Sequence, residues 1–321
     1  MRSLVALALI LACSSDAPPP IDAPINKPVT DLDRSNALGD VSSLAPAIAR
    51  AFDATDFTVM RAPHANDWLD THYEAGQTLA QHQSGKYPAP DDVRRVLYLL
   101  PLGELSADSP PLADLARVVH AFFGLEVRIL PAVPLASVEA KRRGVDPLGR
   151  PAQLLTSDVH RWLVPRLPAD AQALIAVTMM DLYPAENLYF VFGQAAMRDR
   201  VAVQSFARID PTFYGVNRKP GWQKLMLVRA AWTMIHELGH TFGLHHCIYY
   251  ECVFAGVNSR VELDRFPLRA CPICLRKLYA VLGFDLATRE DDLASVFGAL
   301  GVEEEAAWSR RRATWIRTGT R

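Results

Sequence analysis

His236-Glu237-Leu238-Gly239-His240-Thr241-Phe242-Gly243-Leu244-His245-His246 is the stretch on which the reading of this chain turns. It closes the strongest helical pattern in the sequence, Trp222 to Phe242, which carries no Pro and no Gly before Gly239. On a helix, His236 and His240 stand one turn apart on the same face, so both imidazoles reach one ion. Glu237 adjoins the first of them and leans over the same site, where a carboxylate takes a proton from water. Gly243 is the residue type that lets a chain leave a helix through a left-handed turn. Beyond that turn His246 approaches from another direction. Three His ligands leave a fourth position for water, the open geometry of a catalytic zinc. His245 competes for the third place, but the spacing selects His246 and leaves His245 at the rim. His64, His72, His82, His120 and His160 are scattered and read as surface or packing residues.

Four cysteines follow at once. Cys247 is next to the third His, Cys252 comes one loop later, and Cys271 and Cys274 form Cys-Pro-Ile-Cys. Two pairs, the second a tight Cys-x-x-Cys, fit a closed four-thiolate zinc site. The other reading is two disulfides, which an oxidising compartment permits. The tight pair favours the metal, because so short a loop rarely closes a relaxed disulfide.

Outward from this centre, the 321 residues suffice for one large domain or two small ones. A hydrophobic share of 50% and a charged share of 21% are globular composition. The net charge of -1 gives no footing for nucleic acid. The basic residues Arg310, Arg311, Arg312, Arg317 and Arg321 read as a solvated helix end or frayed tail. Val96 to Leu100 and Ala173 to Met180 are continuous apolar runs and read as buried strands; Leu125 to Leu130, Tyr189 to Phe192 and Val201 to Phe206 are strand-like. Val41 to Phe52, Leu112 to Phe123, Gln153 to Leu163, Leu275 to Leu282 and Asp291 to Leu300 read as helices. Strands alternating with helices argue for an α/β domain.

At the N-terminus, Arg2, the apolar run Leu4 to Ala12 and Cys13 have the layout of an export signal ending in a lipid-modified Cys. The run is too short to span a bilayer, which needs about 20 apolar residues. The Pro-rich stretch after it reads as an extended tether. The predicted organisation is therefore a signal peptide at 1-12, a tether at 13-37, an N-terminal extension at 38-92 and a catalytic domain at 93-321. The predicted location is extracytoplasmic, anchored by lipid at Cys13 in a bacterial envelope; a cytoplasmic protein with an apolar start is the alternative.

The motif from His236 through Cys247, then Cys252, Cys271 and Cys274, resembles that of the archaemetzincins. Tyr98-Leu99-Leu100-Pro101-Leu102-Gly103, Asp181-Leu182-Tyr183 and Asn187 to Ala195 are similar to further blocks of that family, as are Ser205 and Arg208. Asp67-Trp68-Leu69 and Glu74 to Thr78 resemble the N-terminal extension of its eukaryotic-type members. The resemblance implies a metzincin-like mixed α/β fold with an active-site helix and a helical C-terminal part. It implies two zinc ions, one catalytic and one structural, and hydrolysis of peptide or protein substrates, including trimming at amino termini. The family's Met two residues after the second Cys is Phe254 here, a bulkier and stiffer floor. That departure favours the rival reading, a catalytically weak zinc protein that binds peptides or a partner. A third reading gives the function to residues 38–92 as an interaction module and leaves Glu237 dispensable.

Overall fold

The computed structural model describes residues 25–144 and 151–320. Cys13, the apolar run before it and most of the Pro-rich stretch lie outside the described residues. Four short helices come first: α1 (Asp31–Leu38), α2 (Pro46–Ala51), α3 (Trp68–Thr71) and α4 (Leu79–Ser84). Then follow β1 (Val96–Leu102), α5 (Leu112–Phe123), β2 (Glu126–Ile129), β3 (Arg142–Arg143), β4 (Gln153–Leu155) and α6 (Thr156–Leu163). The chain continues through β5 (Ala171–Thr178), β6 (Asp181–Tyr183), β7 (Gly193–Ala196), β8 (Val201–Ser205) and α7 (Trp222–Thr241). It ends in α8 (Arg260–Leu263), α9 (Pro272–Leu282), α10 (Leu286–Ala299) and α11 (Glu303–Thr318).

The two continuous apolar runs become β1 and β5, every residue of which is buried. Strands covered on both faces carry such runs and pair in parallel. They form the centre of a sheet ordered β2-β1-β5-β8-β7, in which only β7 runs antiparallel to its neighbour. Alternate residues point to opposite faces. Leu97, Leu99, Ala173 and Ile175 pack with α5 and α7, while Tyr98, Leu100, Leu174 and Ala176 pack with Val159, Trp162 and Leu163 of α6. A small second sheet, β3-β4-β6, sits beside it.

Several expectations shift. The segment 13-37 is not tether throughout, because α1 begins at Asp31. Thr30 and Asp33 form a capping box that satisfies the first N–H groups, and Ala37 is buried in the main core. Tyr189 to Phe192 is not a strand; the ladder begins at Gly193. Arg143 and Gln153 side chains take the Tyr189 carbonyl, both at 2.9 Å, and Val191 makes only an isolated bridge, its N–H donating to Leu182 O at 3.1 Å. Gln153 to Leu155 is a strand where a helix was expected, and the helix starts at Thr156. Of the C-terminal basic run, Arg310, Arg311 and Arg317 are exposed on α11, the solvated helix end expected, and Arg312 alone among the described ones departs from it. Arg312 is buried and donates to the Ala51 carbonyl at 2.9 Å. Arg50 donates to the Ile316 carbonyl at 2.9 Å near the end of α11, where last-turn carbonyls need donors. Ala51 and Phe52 share one core cluster with Phe122, Ile235 and Leu278.

Candidate active site

Helix α7 is buried from Met226 to Thr241 apart from Val228, so the turn that carries His236 and His240 lies deep in the protein. It ends in a Schellman arrangement: Gly243 N–H donates to His240 O at 2.8 Å and Leu244 N–H to Gly239 O at 3.2 Å. Gly243 has φ 84°, the left-handed turn expected from its position. The turn carries His246 back over the helix face that bears His236 and His240.

Ligand nitrogens of His236, His240 and His246 lie within 4.8 Å of one another. The Nδ1 atom of each ring is engaged elsewhere: His236 with Val253 O at 2.9 Å, His240 with Leu244 O at 2.6 Å, His246 with Glu74 Oε1 at 2.6 Å. An Nδ1–H donating to an oxygen fixes the tautomer and leaves a lone pair on Nε2. The Nε2 atoms of His236 and His240 face each other at 3.1 Å. Burial, then the neighbouring imidazoles, hold His236 well below the usual histidine range and His240 down at about 3. Neutral imidazoles with converging lone pairs are the donor set of a zinc ion.

Glu237 is buried on the same helix, and burial pushes its carboxyl up to about 8. A nearby dication draws such a value down. The carboxylate rests against Gly193, the first residue of β7. A Cβ there would stand 2.7 Å from Glu237 Cγ and 2.8 Å from Oε1, so only glycine allows this approach. Phe192 O accepts from Ser205 N–H at 2.8 Å, and Gln194 pairs with Val203. Alternation along an antiparallel pair then turns the N–H and C=O groups of Gly193 and Ala195 away from β8, onto the sheet's outer edge.

Behind the imidazoles, the sulfurs of Cys247, Cys252, Cys271 and Cys274 lie within 4.8 Å of one another, all buried. Cys247 and Cys271 sulfurs are 3.6 Å apart. Zinc–sulfur bonds of about 2.3 Å give a tetrahedron with edges of about 3.8 Å. A disulfide needs about 2.05 Å. Burial raises Cys252 and Cys271 well above the usual thiol range, so the cluster cannot ionise fully without a cation. Cys271 stands at the N-terminus of α9 and Cys274 lies in its first turn. The four thiols fit a closed zinc site.

The sequence profile of peptidase family M54 matches residues 171–280. Archaemetzincin-2 of Macaca fascicularis is 33% identical to this chain over 70% of each protein. Human archaemetzincin-2 is 31% identical over 81% of this chain and 79% of its own length. The chain belongs to the archaemetzincin family. It is a zinc metallopeptidase. The crystal structure of archaemetzincin from Methanopyrus kandleri shares 28% identity over 61% of this chain and 99% of its own, with a TM-score of 0.47.

At the family's Met position, Phe254 is fully buried and stacks on His236 at 6.4 Å between centroids. Its ring fits against Gly239, where an added Cβ would stand 2.0 Å from Phe254 Cε1. The apolar floor is therefore present, built from a ring and a glycine. His245 stands outside the three-histidine group, its Nε2 2.9 Å from Tyr87 OH. Glu74 was missed as a partner of His246. Its only signal was its place in a block resembling the family's extension. His82, read as a packing residue, lies with Nε2 2.9 Å from Phe242 O.

Proposed function

We propose that this archaemetzincin hydrolyses peptide bonds with one zinc held by His236, His240 and His246 and with Glu237 as general base. The observation that carries the proposal is three buried imidazoles converging beside a buried carboxylate at the outer edge of the sheet. Zinc at that position supplies Lewis acidity and brings the pKa of a water to about 7. Glu237 accepts the proton that the attacking water gives up and passes it to the amine as the C–N bond breaks. Gly193 and Ala195 hold an extended substrate through backbone hydrogen bonds, as an added strand. The reading includes trimming at amino termini, supported by the family resemblance alone. A second zinc on Cys247, Cys252, Cys271 and Cys274 is structural, since four thiolates leave no open position.

Purified protein is expected to cleave members of a mixed peptide library, to lose this on chelation and to regain it on zinc addition. The cleavage sites read out whether ends or interiors are cut. Cleavage that survives chelation overturns the proposal; peptide binding without cleavage by the zinc-replete protein establishes the binding-protein reading instead.

We propose further that the protein is exported and anchored by lipid at Cys13, supported by Arg2, the apolar run and the Pro-rich stretch that follows. No helix among the described residues is long and apolar enough to cross a membrane. Cys13→Ser is expected to move the protein out of the membrane fraction or to block its processing. Identical soluble fractionation of both forms, with Met1 intact, sinks this.

A further inference from the structure

We propose that residues 26–87 form a strap that completes the catalytic metal centre, with Glu74 as the positioning residue for His246; this rests on the three-histidine reading above. The three imidazoles are not held alike. His236 and His240 project from a helix that fixes their geometry, and their Nδ1 atoms meet backbone carbonyls of residues 253 and 244. His246 follows a left-handed turn, where no helix fixes it. It alone bonds a carboxylate, and that carboxylate comes from 172 residues earlier in the chain.

Glu74 is itself tied down. Trp68 Nε1–H donates to the same Oε1 at 2.8 Å, and the Trp68 ring stands edge-on to His246 at 4.9 Å. Glu74 N–H donates to Asn26 Oδ1 at 2.9 Å, while Asn26 Nδ2 donates to Leu69 O and His72 O, each at 2.7 Å. The same segment grips the rest of the turn. Gln77 Nε2 donates to Gly243 O at 3.0 Å, and its Oε1 accepts from His245 N–H at 3.3 Å. His82 contacts Phe242 O and Tyr87 contacts His245, each at 2.9 Å. Tyr87 also fills the space beside Gly243, where a Cβ would stand 2.1 Å from its Cδ2.

Five side chains of the segment therefore bracket residues 242–246, and the one carboxylate among them meets the ligand. A carboxylate on Nδ1–H orients the ring and makes the other nitrogen a stronger donor to metal. On this account, the extension is part of the metal site rather than a module attached to it. Its loss would reach the third ligand without any change in the His236 to His246 sequence.

The test is zinc affinity of the full chain, by competition with a chromophoric chelator, for Glu74→Ala, Glu74→Gln and His246→Ala. The visible spectrum of the cobalt-loaded protein and the melting of the chelator-treated protein are read alongside. Glu74→Ala is expected to weaken the chelatable zinc by roughly 10–100-fold and to shift the cobalt bands, with the chelator-treated protein still melting cooperatively. Glu74→Gln is expected to lose less, because a neutral oxygen accepts a weaker bond than a carboxylate. Wild-type affinity and spectrum in both Glu74 variants, with metal lost in His246→Ala, overturn the proposal. If Glu74→Ala fails to fold, wild-type behaviour of Glu74→Gln alone overturns it. Wild-type affinity in His246→Ala would instead overturn the three-histidine reading.

Discussion

Glu237→Gln is expected to keep its zinc and to lose at least ~100-fold in turnover. The amide has the shape of the carboxylate but cannot accept the proton of the attacking water. Metal retention follows from the hydrogen bonds. The Nδ1 partners of the three imidazoles are Val253, Leu244 and Glu74, so no ligand is oriented by Glu237. The packing against Gly193 is the same for either side chain, so the fold is kept. Gly193→Ala tests the same residue without altering it. The new methyl would stand 2.7–2.9 Å from Glu237 atoms and must push the carboxylate aside. A displacement of about 1 Å costs up to ~100-fold in rate, again with zinc unchanged. Peptide cleavage kinetics with metal analysis read both variants. Wild-type turnover in Glu237→Gln would remove the general base from the mechanism, while a harmless Gly193→Ala would leave Glu237 with room to move.

What the sequence makes legible here is what local spacing encodes. Helix α7 runs unbroken because Trp222 to Leu238 holds no breaker, and Gly243 marks its exit by residue type. The continuous apolar runs of β1 and β5 announce burial on both faces. The His and Cys spacings bring seven side chains into two groups, and those groups form. What stayed hidden are contacts made across long stretches of chain. Glu74 has no periodic signature, and its partner lies 172 residues away. Arg312 looked like surface because charge was the only local cue; carbonyls at the end of α2 draw it inside. Tyr189 to Phe192 looked like strand because it is apolar, yet Arg143 and Gln153 capture the Tyr189 carbonyl and Val191 makes only an isolated bridge to Leu182. Phe254 looked like a defect when read alone. Beside Gly239 it is a fitted floor, a pairing that becomes visible only when the loop folds back on the helix.

If the chain holds the two zinc ions proposed above, Cys274→Ser or Cys271→Ser is expected to remove both, and with them the activity. The reason lies in one loop shared by the two sites. Cys247 follows His246 directly, and its N–H donates to Phe254 O at 2.7 Å. Residues 252–254 supply in turn a thiol, the carbonyl that orients His236, and the floor under that ring. Cys271 N–H donates to Cys252 Sγ at 3.2 Å, and Val253 N–H donates to Arg269 O at 3.0 Å, so α9 is tied to the same loop. Structural zinc sites bind with about 10–16 kcal/mol, as much as the whole net stability of an ordinary domain. Weakening that site loosens residues 247–254, and the loosening reaches His236 through Val253 and His246 through Cys247. The wild-type chain should therefore yield one zinc readily to a chelator and hold the other, while either variant yields less than one in total, with a lower melting temperature. The opposing outcome is also definite. If the sulfurs are paired as disulfides, the wild-type chain holds a single zinc and no thiol titrates under denaturing conditions. Either substitution would then expose one unpaired partner thiol while the zinc at His236, His240 and His246 stays bound.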